Sequence, residues 1–505
     1  MTAQSASTHA YRDPASDRPV VLCIGGSDSA GLAGLQMDSR CCEALGAHAA
    51  TAVTAVTAQN NAGLYALNPV PVDQLAAQID AAMTLQPRVI KLGMLANQDQ
   101  IELLAKTLAN SEQPIVLDPV LATSSGADIM DANAIDALLH RLLPQVSVVT
   151  PNAPEAETLL RFAGDPRDQA RALCDAGAEW TVVTGGHREG AWVEDTCAGP
   201  NHLFSLAQPR IDTPHLRGTG CAYSSLIAAA LALGHDPRDA LIIARMALQA
   251  SILQAGPVGH DRGCPRPVAY PEQHWPRYCG PLATSLPTDG FPPCTGGEHP
   301  ETLGLYPIVD RADWLTRLLP QGITTVQLRI KDLAGDDLRQ ELTAANAIAR
   351  AHNARLFIND HWQLAIEIGA YGVHLGQEDL ATADLAALQR AGLRLGISNH
   401  CHYELVRALA LRPSYLAVGP VFATTTKAMP WTPHDLSGLR HWQHSLTNYP
   451  LVAIAGMTSG NIASVAATGV SGIALITAIT QAVDPEAATR ELLQILREAH
   501  KDGVH

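Results

Sequence analysis

Basic residues are scarce in this chain. It has 34 Lys and Arg against 49 Asp and Glu, a formal net charge of -15. A surface that grips a nucleic-acid backbone is net basic, so nucleic acid is excluded as a partner. Any anionic ligand must be met by local cations and backbone amides. Paired cysteines are lacking too: the ten cysteines include no CxxC. They read as reduced thiols of a cytoplasmic protein. Cys264, Cys279 and Cys294 are too widely spaced, and too poor in neighbouring His, for a zinc site. Long apolar runs are also missing. The longest candidate, Leu226 to Leu233, is Ala-rich and stops at Gly234, well short of a membrane span. Residues 1–19 are polar without an apolar signal core and read as a disordered lead.

What is present is a long chain, 505 residues and 47% hydrophobic, too large for one core. From Val20, short apolar runs alternate with amphipathic stretches: VVLCIGG, TAVTAVTAQN, RVIKLGML, PIVLDPV, VSVVTPN and WTVVTGG. Buried parallel strands read this way, and the intervening helices imply a three-layer αβα sheet over residues 20–266. Ligands of such sheets sit beyond the C-terminal strand ends. Gly26, Asp28, Gln59, Met94, Asp118, Asn152 and Glu155 all fall there.

Residues 267–302 are dense in Pro and Gly without a helical or strand period, and predict a semi-extended linker. Residues 303–505 can be counted. Strand candidates start at Leu305, Thr324, Arg355, Gly372, Leu393, Tyr415, Leu451 and Gly472, each followed by a helix-like segment. Eight βα units in about 200 residues predict a TIM (β/α)8 barrel with function on the loops after the strands.

Gln327, Arg329 and Lys331 alternate at the end of the second of these strands, which predicts one row of three donors on one face. A solvated strand face also carries such residues. Asn359 and Asp360 follow the third strand and Asp379 the fourth. Two carboxylates converging on one mouth opposite cations suit Mg²⁺ and a diphosphate, although Asp is also a common helix cap. Thr424 to Lys427 add hydroxyls and an ammonium after the sixth strand. Ala455-Gly456-Met457 and Ile476-Thr477-Ala478 stand where many barrels bind phosphate through backbone N–H groups.

QLRIKD, LFINDHWQLA, GVHLGQEDL, LGISNH, VGPVFATTTK and ALITAI together resemble the thiamine-phosphate synthase family from about Leu303 onward. The resemblance implies coupling of hydroxymethylpyrimidine diphosphate to thiazole phosphate with release of diphosphate. It implies that Gln327, Arg329, Lys331, Asn359 and Lys427 hold the diphosphate, with Mg²⁺ on Asp360 and Asp379. It puts Ser398 near diphosphate and pyrimidine. Thr424, Thr426, Gly456, Ile476 and Thr477 would serve the thiazole phosphate. Ala455 departs from the family, which has a Gly pair there.

In the first half, Arg217-Gly218-Thr219-Gly220-Cys221 opens a helix-like run, a Gly-rich turn that can aim amides at an anion. Cys221 at a helix start is expected to have a lowered pKa and so to serve as a base. A packing turn with a small buried Cys is the plain alternative, and Glu155 reads equally as a first-turn helix residue. GGSDSAGLAGLQMD, KLGML, LDPV, TPNAPEAE, TGGH and GTGC resemble hydroxymethylpyrimidine/phosphomethylpyrimidine kinase, a ribokinase-like family. The resemblance implies that Gly26, Ala33, Asp38, Gln59, Met94 and Val120 line a pyrimidine pocket. Gly218, Thr219 and Gly220 would form an anion hole beside the base Cys221, with Asp118, Asn152 and Glu155 serving Mg²⁺ and ATP. Three departures stand out: Leu32 for a Gly, Thr184 for a Lys, and Arg217 for a His.

The expected protein is therefore a bifunctional enzyme. Its partners are small molecules: hydroxymethylpyrimidine and its phosphates, thiazole phosphate, and ATP. Alternatives are a synthase whose first half only binds pyrimidine weakly, or a barrel of thiazole-tautomerase type. The sequence leaves open whether the chain forms a homo-oligomer.

Overall fold

The computed structural model describes residues 18–122, 129–280, 290–294, 302–424 and 431–502. The chain divides into two compact units, Asp13–Gly280 and the unit from Pro281 to His505.

The first unit is built on a ten-stranded sheet. Its strands in chain order are β1 (Val20–Asp28), β2 (His48–Asn60), β3 (Gly63–Pro69), β4 (Val89–Leu92), β5 (Ile115–Leu117), β6 (Val148–Val149), β7 (Trp180–Val183), β8 (Trp192–Gly199), β9 (His202–Pro209) and β10 (Arg277–Cys279). They are ordered β10-β9-β8-β7-β6-β5-β4-β1-β2-β3. The six apolar runs read from sequence are the parallel centre, β2-β1-β4-β5-β6-β7. The four antiparallel strands, β3, β8, β9 and β10, lie outside that reading. Runs such as WVEDTCAG and GLYALNP mix polar and apolar residues, so they lack the continuous apolar signature of a strand buried on both faces.

Strand period 2 sorts the central strands between two helical layers. Leu22, Ile24, Ile90, Leu92, Ile115 and Leu117 pack in one cluster with Leu75, Ile79, Ile101, Leu104 and Leu138. Lys91 lies between Ile90 and Leu92, so it faces the opposite way, towards helix Gly34–Leu45 and its Asp38.

The second unit is a closed barrel of eight parallel strands: Gly304–Val309, Thr325–Leu328, Arg355–Asn359, Gly372–Leu375, Arg394–Asn399, Tyr415–Val418, Leu451–Ile454 and Gly472–Leu475. All eight predicted strands are present. The last is followed by a four-residue helix and then by helix Pro485–Asp502.

The expected linker is not free chain throughout. Arg277–Cys279 is the edge strand β10 on β9. Residues 290–294 are tied to the N-terminal end of the barrel. Phe291 N–H donates to Arg412 O at 2.9 Å and Ser414 Oγ donates to Pro292 O at 2.6 Å. Cys294 is buried in a cluster with Leu303, Tyr306, Phe357 and Tyr415. Backbone groups freed by the prolines are met by neighbouring loops, so local composition did not report the docking. Among the described residues, no helix is long and apolar enough to cross a membrane.

Candidate functional sites

The C-terminal ends of the central strands in the first unit open into a cavity of about 920 Å³. Gly26, Ala33, Asp38, Gln59, Met94 and Val120, the six residues expected around a pyrimidine, all line it. So do Asp118, Asn152, Glu155, Gly218, Thr219, Gly220 and Cys221. Leu32 does not: its side chain is 5% exposed and its amide donates to Asp28 Oδ2 at 3.0 Å. The leucine therefore occupies core rather than ligand space.

Gly218 caps helix Thr219–Ala232 in the left-handed region, φ 78°. A Cβ there would stand 2.2 Å from Leu32 O, so only glycine fits. This turn points the first amides of the helix into the cavity, where the helix dipole favours an anion.

Cys221 corrects an expectation. Its thiol is pushed up to about 12, first by burial and then by the Asp118 carboxylate. Lys91 pulls the other way, and a helix start does not outweigh desolvation beside an acid. Cys221 is thus a thiol at neutral pH in this cavity.

Asp118 is buried, and its Oδ2 has no hydrogen-bond partner. Burial raises its pKa, with Lys91 opposing. Glu155 is pushed up to about 8 by burial and by the Asp118 charge. Two desolvated, mutually repelling carboxylates, one with an orphaned oxygen, fit a hard divalent cation with its waters. Glu155 also forms a capping box: its Oε2 accepts from Asn152 N–H at 2.8 Å, and Asn152 Oδ1 accepts from Glu155 N–H at 2.9 Å. The cap and the cavity thus share the same two residues.

Two cations deserve separate placement. Lys91, absent from the expected site, lines the cavity and donates to both Asp38 oxygens at 2.9 Å. Its signal in the sequence was a single Lys inside an otherwise apolar strand. Arg217 lines the cavity, bonds Gln59 Oε1 at 3.0 Å and Asn60 O at 2.9 Å at the end of β2, and lies 4.0 Å from Asp28 Oδ2. Thr184 lines the cavity without a charge of its own.

In the barrel, the predicted donor row splits. The ladder ends where Arg329 N–H donates to Val309 O at 2.7 Å, just past the strand. Gln327 is 3% exposed and inside the barrel, against the phenols of Tyr306 and Tyr415. Arg329 and Lys331 are exposed at the C-terminal end. The buried side chains of Leu328 and Ile330 hold the alternation.

Lys331 is ion-paired with Asp360, which in turn reaches Asp379. Asp360 sits in the left-handed region, φ 61°, a conformation Asp tolerates. Burial and then the Asp360 charge raise the Asp379 pKa, with Lys331 opposing. Two carboxylates within hydrogen-bond reach of one another and facing an ammonium fit an oxygen-liganded cation beside an anion. Asn359 ends the third strand, buried. Ser398, on the fifth strand, bonds His374 Nε2 at 2.8 Å.

Thr424 follows the sixth strand; Thr426 and Lys427 lie outside the described residues. Gly456 has φ 73°, and a Cβ there would stand 2.6 Å from Phe422 Cβ. Ala455 before it also has positive φ, 77°, although it is not glycine. Ile476 caps the short helix Thr477–Thr480. Thr424, Ala455, Gly456 and Ile476 lie after the C-terminal ends of neighbouring strands, on one face of the barrel.

Comparison with known proteins follows the same division. The phosphomethylpyrimidine kinase family profile matches residues 28–266. The thiamine monophosphate synthase profile matches residues 305–479. The chain is 54% identical over 197 residues to a thiamine-phosphate synthase of Serratia proteamaculans, covering 39% of this chain and 93% of the relative. It is 52% identical over 219 residues to that of Photorhabdus laumondii, covering 43% and 99%. Among solved structures, it is similar to a phosphomethylpyrimidine kinase from Clostridium difficile at 28% identity, covering 46% of this chain and all of the other, TM-score 0.42.

Proposed function

The chain belongs to the thiamine-phosphate synthase family through its barrel and carries a phosphomethylpyrimidine kinase domain before it, and from that premise we propose how its residues run the two reactions in sequence. It is a bifunctional enzyme of thiamine biosynthesis. The first unit phosphorylates hydroxymethylpyrimidine and then its monophosphate. The barrel consumes the resulting diphosphate.

In the first unit, Gln59, Met94, Gly26, Ala33 and Val120 hold the pyrimidine, and the buried Asp38–Lys91 pair fixes the wall behind it. The hydroxymethyl oxygen attacks the terminal phosphorus of ATP, and the P–O bond to ADP breaks. Amides of Gly218, Thr219 and Gly220 at the helix start stabilise charge on the transferring group. Cys221 would take the hydroxymethyl proton only as its thiolate, the minor form at neutral pH. Asp118 and Glu155 would hold Mg²⁺.

In the barrel, Arg329 and Lys331 neutralise the diphosphate, and Asp360 and Asp379 would hold a second Mg²⁺. Bound Mg²⁺ neutralises charge on phosphate oxygens at both sites. The bond between the exocyclic methylene and diphosphate breaks, its electron pair leaving on diphosphate. The thiazole nitrogen then forms the new C–N bond. No strong base is needed, only charge neutralisation and a positioned acceptor. Gly456, Ile476 and Thr477 serve the thiazole phosphate through their backbone.

The observation that carries this reading is the Lys331–Asp360–Asp379 cluster at the barrel mouth, where a cation and two adjoining carboxylates meet. The test supplies the full chain with hydroxymethylpyrimidine, thiazole phosphate, Mg²⁺ and ATP, and follows thiamine phosphate. Product supports both halves. No product even from hydroxymethylpyrimidine diphosphate overturns the synthase reading.

A further inference from the structure

The connection from β7 to β8, residues 184–191, runs along the cavity of the first unit. Thr184, Gly186 and His187 line it. The start of this loop is pinned beside the two carboxylates. Thr184 N–H donates to Pro151 O at 2.9 Å, and Thr184 forms a parallel bridge with Asn152, whose side chain caps the helix that carries Glu155. Gly185 N–H donates to Asp195 Oδ1 at 2.9 Å. Arg245 Nε lies 3.4 Å from Asp195 Oδ2, with both side chains at most 5% exposed. Beyond Gly185 this grip ends. Gly186 to Gly190 are all exposed, so apolar burial does not hold them in place.

Arg210 holds them instead. It follows the last residue of β9, and its backbone N–H donates to Ala191 O at 2.8 Å. Its guanidinium reaches back across the loop. Nε donates to Gly190 O at 2.8 Å, Nη1 to Gly186 O at 3.1 Å and Nη2 to Arg188 O. Three carbonyls, from the start, middle and end of the exposed stretch, converge on one planar group. A guanidinium presents its donors in a fixed fork, so these bonds set the shape of the loop as well as its place. Arg210 also lines the cavity.

We propose that Arg210 is a positioning residue for phosphoryl transfer: its fork holds the loop from Thr184 to Gly190 as a preformed wall for the phosphates of ATP, beside Asn152 and Glu155. The inference rests on the kinase reading above. It concerns the nucleotide and not the pyrimidine, because Gln59 and Met94 stand at the ends of other strands, β2 and β4. A loop free to fluctuate must be ordered each time nucleotide binds, and that ordering is subtracted from affinity. A loop already held by three bonds escapes this cost.

Arg210→Ala and Arg210→Lys in the full chain test it, with phosphorylation of hydroxymethylpyrimidine followed at varied ATP and at varied pyrimidine. Both variants should raise KM for ATP about tenfold or more, the scale of losing a hydrogen bond to a charged group. KM for hydroxymethylpyrimidine should stay within about twofold, since the pyrimidine meets other residues. Lysine keeps the charge but cannot span three carbonyls, so it should not rescue. The loop also carries its own reporter, because trypsin cuts after Arg188. Mg²⁺ with ADP should slow that cut in the wild-type chain, and both variants should be cut faster without nucleotide. A wild-type KM for ATP in Arg210→Lys would assign the effect to charge alone and overturn the inference. So would equal rises in both KM values, the mark of a general loss of structure, or cleavage after Arg188 that nucleotide does not slow. Absence of phosphorylation by the wild-type chain would instead strike the kinase reading itself.

Discussion

Lys91 Nζ lies 2.9 Å from both carboxylate oxygens of Asp38, with each side chain 1% exposed. Ser225 Oγ donates to the same carboxylate at 2.8 Å. Burial raises the Asp38 pKa, and the ammonium opposes it. This pair forms part of the cavity wall in the kinase unit, and removing half of it strands the other charge.

Lys91→Met should therefore destabilise the kinase unit by about 3–5 kcal/mol, the cost of leaving one partner of a buried pair unmatched. Chemical denaturation of the full chain measures it. Replacing both Asp38 and Lys91 by Leu should cost less than Lys91→Met alone, and a larger cost would mean the pair is net stabilising.

Phosphorylation should depend on pH through Cys221. The thiol sits at about 12, above its ordinary value, so the thiolate fraction grows with pH across the neutral range. If the thiolate takes the proton, kcat should rise about tenfold per pH unit between pH 6 and 9. Cys221→Ala should abolish phosphorylation and leave coupling intact. A flat profile assigns the proton to another acceptor, with Asp118 the nearest acid.

Asp379→Asn should cut coupling by two orders of magnitude or more, about the scale of losing a preorganised electrostatic contact, while phosphorylation is unchanged. Arg329→Ala should do the same. Product quantified from hydroxymethylpyrimidine diphosphate in one assay and ADP release in another separate the two activities.

Ala455→Gly should stabilise the barrel. Ala455 holds φ 77°, where an L side chain costs about 1–2 kcal/mol relative to glycine. A rise in the thermal midpoint, with the thiazole phosphate KM unchanged or lower, is the expected result. A fall would mean that the Ala455 methyl makes compensating contacts.

The barrel was legible because each strand, such as RLFIN or GIALIT, is a short apolar run followed by a helix-like segment. The kinase sheet was legible only at its centre. β8 and β9 bury polar residues such as Asp195, Thr196, Ser205 and Gln208 among apolar ones, so neither shows a continuous apolar run, and β10 hides in Pro-rich chain. The cavity residues were legible through motifs, since a motif fixes backbone placement. Their protonation was not. Cys221 was judged by its helix alone, whereas desolvation and Asp118 come from strands remote in sequence. His374 stood in the quoted run GVHLG without attracting notice. Its partners, Tyr415 and Ser398, are 41 and 24 residues away and meet it only when the barrel closes.

The docked segment 290–294 bears on how such a fusion could be taken apart. A barrel cut to begin at Leu303 would match the family profile, yet it would leave Ser414 Oγ without Pro292 O and open the apolar cluster that Cys294 seals. The aromatic floor beneath Tyr306, Phe357 and Tyr415 would then meet water from below. The severed half would be prone to stick to itself through that floor. A free-standing synthase carved from this chain must keep the residues from Gly290 onward. Part of what reads as connecting sequence has become a cork in the barrel's base.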